Sequence, residues 1–147
     1  MLLLCTIYQQ KRLTDKGLKI ALAESCTGGL FAHYFTRTLG SSKYFMGGVV
    51  AYDKSVKINI LRVPQNVPLI SKECAEHMAF GLTHNIEADI YVSTTGRIDY
   101  DHDNCVFVSI LYDGNYFTTK YTNDEGERTR TIRTIIDKTA KRIYELI

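Results

Sequence analysis

Apolar residues change their spacing along this chain, and each change marks an element. Over 3–16, Leu4, Ile7 and Tyr8 fall on one side of a helical wheel and Gln9, Lys11 and Arg12 elsewhere, which predicts an opening helix. Leu18–Ala23 predicts a first strand. Residues 28–38 return to one-turn spacing through Leu30, Phe31, Tyr34 and Phe35 and close on Arg37 and Thr38 before Gly40, so they predict a second helix. Phe45–Tyr52 predicts a second strand, although Gly47-Gly48 weakens it unless a backbone or a ligand comes close. A short helix follows over 54–61, and Pro64 and Pro68 bracket an irregular connection. Ser71 then caps a helix to about residue 85, with Glu73 in its first turn complementing the dipole. Asp89–Thr95 predicts a third strand ending at Gly96, and 97–104 a polar loop. Cys105–Tyr112 is an apolar strand, and Asp113-Gly114 signals a hairpin into Tyr116–Thr122. The last helix runs from about residue 125 to the end on a stripe of Ile132, Ile135, Ile136, Ala140, Ile143, Tyr144 and Ile147.

Alternation of helix and strand over the first two thirds predicts an α/β fold: a three-layer α/β/α sandwich on a mixed, largely parallel sheet of about five strands, plus a C-terminal hairpin and helix. At 147 residues and 45% hydrophobic content, 1–147 is expected to form one domain. A net charge of +2 from 18 basic and 16 acidic residues supplies no field to hold a nucleic acid or an anionic membrane. The opening Met-Leu-Leu-Leu-Cys is too short for a secretory core and lacks a basic leader, so the expected location is cytoplasmic. Cys5, Cys26, Cys74 and Cys105 form no Cys-x-x-Cys pair and have no metal-ligand spacing, so reduced thiols are expected. Three of them lie in apolar periodic segments as small buried hydrophobes, and Cys26 is the exception.

Leu-Ala-Glu-Ser-Cys-Thr-Gly-Gly, residues 22–29, carries the chemistry. A strand stops there at a hydroxyl, followed by two glycines and a helix start, which exposes Ser25 beside backbone N–H groups without intrahelical partners. That spot suits a phosphate, or the oxyanion formed when a serine attacks a carbonyl. Ligands of such sheets bind beyond the carboxyl ends of the strands. Three ends stand out: Ser25 with Thr27-Gly28-Gly29, Tyr52 with Lys57 on the next helix, and Thr94-Thr95-Gly96. No histidine occurs at any of them. Lys57 can serve as base to Ser25 if burial leaves its amine neutral, with Tyr52 relaying or orienting the proton. Set against this, Ser25 caps a helix, Tyr52 packs on the strand and Lys57 is solvated.

The ordered set Leu-Ala-Glu-Ser-Cys-Thr-Gly-Gly, Gly40-Ser41-Ser42, Tyr44-Phe45-Met46-Gly47-Gly48-Val49-Val50-Ala51-Tyr52 and Lys57 resembles the C-terminal domain of the competence/damage-inducible CinA family, in its stand-alone form. The resemblance continues through the Ser71 helix, Thr95-Gly96, the hairpin and Gly126-Glu127-Arg128. It implies a nicotinamide mononucleotide amidohydrolase of pyridine nucleotide salvage, releasing ammonia and nicotinate mononucleotide, with no cofactor and no metal. It implies Ser25 as nucleophile, Lys57 and Tyr52 as its activators and Ser42 assisting near the carboxamide. Glu24, Thr27, Gly28 and Gly29 would shape the turn and donate N–H groups, with Thr95 and Gly96 also binding substrate. Arg128 or Arg133 would meet the ligand. A small-molecule nucleotide is the implied substrate, and a homo-oligomer the implied assembly.

One stretch departs from the family. Where members carry a loop resembling Gly-Ile-Ala-Gly-Pro, this chain reads Thr95-Gly96-Arg97-Ile98-Asp99-Tyr100-Asp101-His102-Asp103-Asn104, replacing small residues by bulky and charged ones. The alternative reading is therefore a catalytically degenerate module that binds a nucleotide or a protein. Asp99, Asp101 and Asp103 superficially suggest a calcium loop, but Asn104 stands where a glycine is required and Ile110 where a glutamate is. Cys26 at a helix start is a conceivable nucleophile. His33, His77, His84 and His102 have no partner implied by spacing and read as packing or surface residues. Thr27-Gly28-Gly29 lacks the P-loop lysine and the dinucleotide fingerprint.

Overall fold

The computed structural model describes residues 2–99, 104–122 and 127–147, with side chains from Ile7 onward. Its elements in order are α1 (Leu2–Asp15), β1 (Ile20–Glu24), α2 (Leu30–Thr36), a 3-10 turn at Ser41–Lys43, β2 (Phe45–Val50), α3 (Lys54–Asn59), α4 (Lys72–Leu82), β3 (Ile90–Arg97), β4 (Cys105–Tyr112), β5 (Asn115–Thr122) and α5 (Arg128–Leu146). The strands form one mixed sheet in the order β2-β1-β3-β4-β5. Both neighbours of β1 run parallel to it, while β3-β4 and β4-β5 are antiparallel, so the C-terminal hairpin supplies two of the five strands.

Side chains of β1 alternate between two layers. Ile20 and Leu22 join Phe31, Tyr34 and Phe35 of α2 and Ile132, Ile135 and Ile136 of α5. Ala21 and Ala23 face the other way, toward Leu61, Val63, Cys74, Met78 and Leu82 around α3 and α4. The first layer is filled by aromatics, with the Phe31 and Phe35 rings stacked at 5.4 Å and Phe45 against Phe35 at 6.2 Å. The second approaches the sheet over small residues. The glycine pair of β2 has two separate causes: a Cβ on Gly48 would stand 2.6 Å from the Leu22 carbonyl oxygen of the neighbouring strand, and Gly47 has a positive φ of 141°.

Local chemistry closes the elements. Ser71 caps α4 by accepting from Cys74 N–H at 3.0 Å, as its position predicts. Asp113 and Gly114 both have positive φ, 51° and 73°, the twisted two-residue turn that joins antiparallel strands. The third strand runs on through Gly96 to Arg97, beyond its expected end at Thr95, because residues 94–97 continue pairing with β4 as far as Cys105. Of the expected polar loop, residues 100–103 lie outside the described residues, and with them Tyr100, Asp101, His102 and Asp103 of the calcium-like pattern. Gly126 and the expected start of the last helix at 125 also fall outside. No helix among the described residues is long and apolar enough to cross a membrane.

Candidate active site

Ser25 follows β1 directly, and the chain turns there at once. Its N–H donates to the Thr94 carbonyl at 3.1 Å, and its own carbonyl accepts from Gly28 N–H at 3.0 Å. Gly28 and Gly29 have φ of 61° and 101°, left-handed values that an L side chain resists. Nothing lies within 4 Å of where a Gly28 Cβ would stand, so backbone conformation and not crowding requires the glycine. The Thr27 and Thr94 hydroxyls meet at 2.8 Å and tie the turn to the end of β3.

Glu24, whose side chain points into the α2 layer, is buried. Its carboxylate accepts from Phe31 N–H at 2.8 Å and Ala32 N–H at 3.0 Å. Two N–H groups expected to be free for an anion are thus taken by a charge of the protein itself, which also offsets the helix dipole. Gly28 N–H is spent within the turn. The N–H groups of Cys26, Thr27 and Gly29 are left without an acceptor among the described residues.

Ser25 is only 7% exposed, where the sequence led us to expect an exposed hydroxyl. The reason is its neighbour. Asp53 caps α3 by accepting from Ser55 N–H at 2.9 Å, and the helix carries Lys57 inward, 3% exposed. The Lys57 Nζ lies 2.9 Å from Ser25 Oγ, 2.7 Å from the Ala51 carbonyl and 3.2 Å from the Tyr52 carbonyl. Burial holds its ammonium below the ordinary lysine range. A neutral amine has two hydrogens and one lone pair, and carbonyls can only accept. In that state the hydrogens go to Ala51 and Tyr52, and the lone pair is left for the serine hydroxyl.

Cys26 does not compete for this role. It is buried like Cys74, against expectation, whereas Cys105, expected to be buried, is half-buried; burial pushes the Cys26 pKa up to about 11 even though Arg128 and Lys57 favour the thiolate. It stays protonated at neutral pH and is a poor nucleophile. Cys74, also raised by burial, lies on the α4 side of Lys57. Cys26, Cys74 and Cys105 are free thiols, and the side chain of Cys5 lies outside the described ones.

Other expected residues separate into those near this pair and those elsewhere. Tyr52 contributes its carbonyl to Lys57, but its side chain is 63% exposed and its phenol faces Arg128 Nη2 at 3.4 Å. Arg128 also donates through Nη1 to the Ile98 carbonyl at 2.5 Å. It therefore stands at the Ser25 end of the sheet, whereas Arg133 lines a groove between α2 and α5. Thr95 is committed elsewhere, donating to the Leu69 carbonyl at 2.7 Å. Gly96 serves strand packing, since a Cβ there would stand 2.4 Å from the Cys105 carbonyl oxygen. Neither takes part in the Ser25 and Lys57 cluster as the sequence suggested.

Ser42 is not brought to Ser25. It lies in the turn before β2, whose neighbour Tyr44 accepts from Ile20 N–H at the start of β1. Because β1 and β2 are parallel, that is the amino end of the strand that Ser25 terminates, roughly 16 Å away at 3.3 Å per residue. His33, His77 and His84 are exposed. Among the described residues no group of histidine, cysteine and carboxylate side chains is arranged to hold a metal.

Comparison with known proteins follows the same lines. The CinA C-terminal domain family matches residues 7–147. A protein of Bacillus cereus (strain G9842) named "Putative competence-damage inducible protein" is 38% identical over 125 residues, 79% of this chain and 30% of its own length. One of the same name from Halothermothrix orenii is 50% identical over 90 residues, 58% of this chain and 22% of its own. The chain thus spans less than a third of these relatives' length. Among solved structures, a competence/damage inducible protein, CihA, of Agrobacterium tumefaciens superposes with a TM-score of 0.88 at 24% identity, covering 97% of this chain and 93% of the other. A CinA superfamily protein of Escherichia coli gives 0.89 at 22%, covering 100% and 91%. At those identities the two structures speak to the fold.

Proposed function

The chain belongs to the CinA C-terminal domain family, and we propose that it hydrolyses the carboxamide of nicotinamide mononucleotide to the carboxylate and ammonia. The observation that carries this is the buried Lys57 amine 2.9 Å from Ser25 Oγ, with two carbonyls turning its hydrogens away from the hydroxyl. Ser25 Oγ attacks the amide carbon as its proton passes to Lys57. The oxyanion forms beside the N–H groups of Cys26 and Thr27. The Lys57 ammonium then returns the proton to the departing nitrogen, the C–N bond breaks, and ammonia leaves an acyl ester on Ser25. Water attacks the ester with Lys57 again taking the proton, and the Ser25 hydroxyl is restored as the acid departs.

Anion recognition in this scheme falls to Arg128, because the carboxylate of Glu24 cancels the positive end of α2. Among the described residues its guanidinium donates to the Tyr52 hydroxyl and the Ile98 carbonyl, two neutral acceptors that a phosphate displaces favourably. Tyr52 then positions Arg128 and leaves proton transfer to Lys57. Ammonia release from nicotinamide mononucleotide by the purified protein is the test. Wild type should release it, and Ser25→Ala and Lys57→Ala should each lower turnover by about 10³-fold or more.

A second reading keeps the pocket without the chemistry, and the burial of Ser25 favours it, since substrate must reach a hydroxyl with little exposed surface. It expects nicotinamide mononucleotide to raise the melting temperature without ammonia appearing.

A further inference from the structure

On the outer side of α2, away from the layer that contains Lys57, a groove of about 390 Å³ opens between α2 and α5. Its walls carry His33 and Arg37 from the α2 side and Arg130, Arg133 and Asp137 from α5, over a floor that includes Leu30 and Ile136. Counting three arginines against one aspartate, the local charge is +2, equal to the formal charge of the whole chain. Arg130 and Arg133 form no ion pair with a carboxylate among the described residues. The Arg37 guanidinium lies over the Tyr34 ring at 4.7 Å and is near enough to Asp137 to favour its carboxylate, so Arg130 and Arg133 are the cations the proposal rests on.

We propose that this groove is a binding site for a small phosphate-bearing molecule, separate from the Ser25 and Lys57 pair. The chemistry is that of guanidinium forks lining one groove from α5 and the end of α2, which match phosphate oxygens in pairs and retain their charge at any physiological pH. The volume suits a compact ligand such as a sugar phosphate. The apolar floor gives its uncharged part a surface to cover. Two features set the groove apart from the candidate active site. Leu30, His33, Tyr34 and Arg37 follow the i, i+3, i+4, i+7 face of α2, so the groove runs from the Ser25 turn toward the far end of the helix, roughly 10 Å away at 1.5 Å per residue. Lys57 packs in the layer on the opposite face of the sheet. A ligand spanning α2 and α5 braces the helix whose first turn Glu24 holds beside Ser25, so occupancy is coupled to the order of that turn.

Ribose 5-phosphate, inorganic phosphate and, as a control, chloride at matched ionic strength are titrated by calorimetry into wild type, Ser25→Ala and the double variant Arg130→Gln, Arg133→Gln. The expected result is saturable binding of the two phosphate compounds to wild type and to Ser25→Ala. The double variant should bind at least about tenfold more weakly, the loss that removing charge-assisted bonds produces. Arginine labelling with phenylglyoxal, read by mass spectrometry, locates the site: phosphate should protect Arg130 and Arg133 while exposed Arg142 reacts unchanged. Equal heats with chloride, or unchanged affinity in the double variant, would overturn the proposal. So would protection confined to Arg128, or tighter binding of a short DNA duplex, which would make the groove a nucleic-acid surface. Loss of ammonia release in Ser25→Ala leaves these outcomes untouched, so the two readings fail separately.

Discussion

A lysine at 3% exposure is unusual, and its cost and its use come from the same fact. Burial lowers the Lys57 pKa, so between its folded value and that of the unfolded chain the unfolded state binds more protons, and stability rises with pH across that window. Below the folded value the penalty of the buried charge is fully present. Lys57→Met should therefore raise the unfolding free energy at pH 7 by about 1 kcal/mol, read as a higher urea midpoint, while abolishing turnover. In the wild type kcat/KM should climb with pH as the amine loses its proton, with an inflection below 10.5; a flat profile from pH 6 to 9 would remove Lys57 as the base. Cys26→Ala should leave kcat within about twofold, because a thiol near pKa 11 supplies no thiolate at neutral pH. Ser25 and Lys57 were legible as a pair because a hydroxyl at a strand end needs a base and no histidine stood at the other ends. The Ala51, Tyr52 and Ile98 carbonyls were not, since a backbone oxygen has no signature in residue type. Ser42, which the resemblance implied near the carboxamide, lies before β2 at the opposite end of the parallel strand pair from Ser25, and residue type alone carries no sign of that placement.

At the level of the element, α2 is short and relies on a distant-looking residue for its start. Glu24 supplies charged acceptors to two N–H groups of its first turn, so Glu24→Ala should cost about 2–3 kcal/mol and Glu24→Gln less, measured by urea unfolding. Hydrogen exchange should accelerate at Phe31 and Ala32 in particular. Among the described residues periodicity identified each α-helix and strand, with boundaries differing by a few residues, and missed the 3-10 turn at Ser41–Lys43. The strand β3 outran its expected end because Thr94–Arg97 pairs with β4, a tertiary fact invisible to local pattern. The glycines told less uniformly. Gly28 and Gly29 are demanded by dihedral angle, whereas Gly48 and Gly96 are demanded by the approach of another chain segment, and sequence alone gives the same letter for both.

Across the whole molecule, the sheet divides two cores of different grain. The α2 and α5 side is built of aromatic and branched side chains, and the α3 and α4 side approaches over Ala21, Ala23 and Ala51. Substitutions should respond accordingly in thermal melts. Phe31→Ala leaves a cavity and should cost about 3–5 kcal/mol, while Ala21→Val overfills a close contact at about 1–3 kcal/mol. The α/β class was legible from alternation, and the expected stripe of the last helix is buried except for Tyr144, which is exposed, while Thr131 and Thr139 are buried without having been expected. The pairing order was not, since it depends on β1 receiving β2 and β3 on either side across a separation of seventy residues between Ile20 and Ile90.

Because β1 sends Glu24 into one layer and Ser25 into the other, the anchor and the hydroxyl are set by odd and even positions of a single strand. Inserting or deleting one residue upstream within β1 would exchange them, turning the carboxylate toward Lys57 and the hydroxyl toward the aromatic layer. The strand thus acts as a parity lock: its composition can drift, but its count from Ile20 to Ser25 cannot change by one.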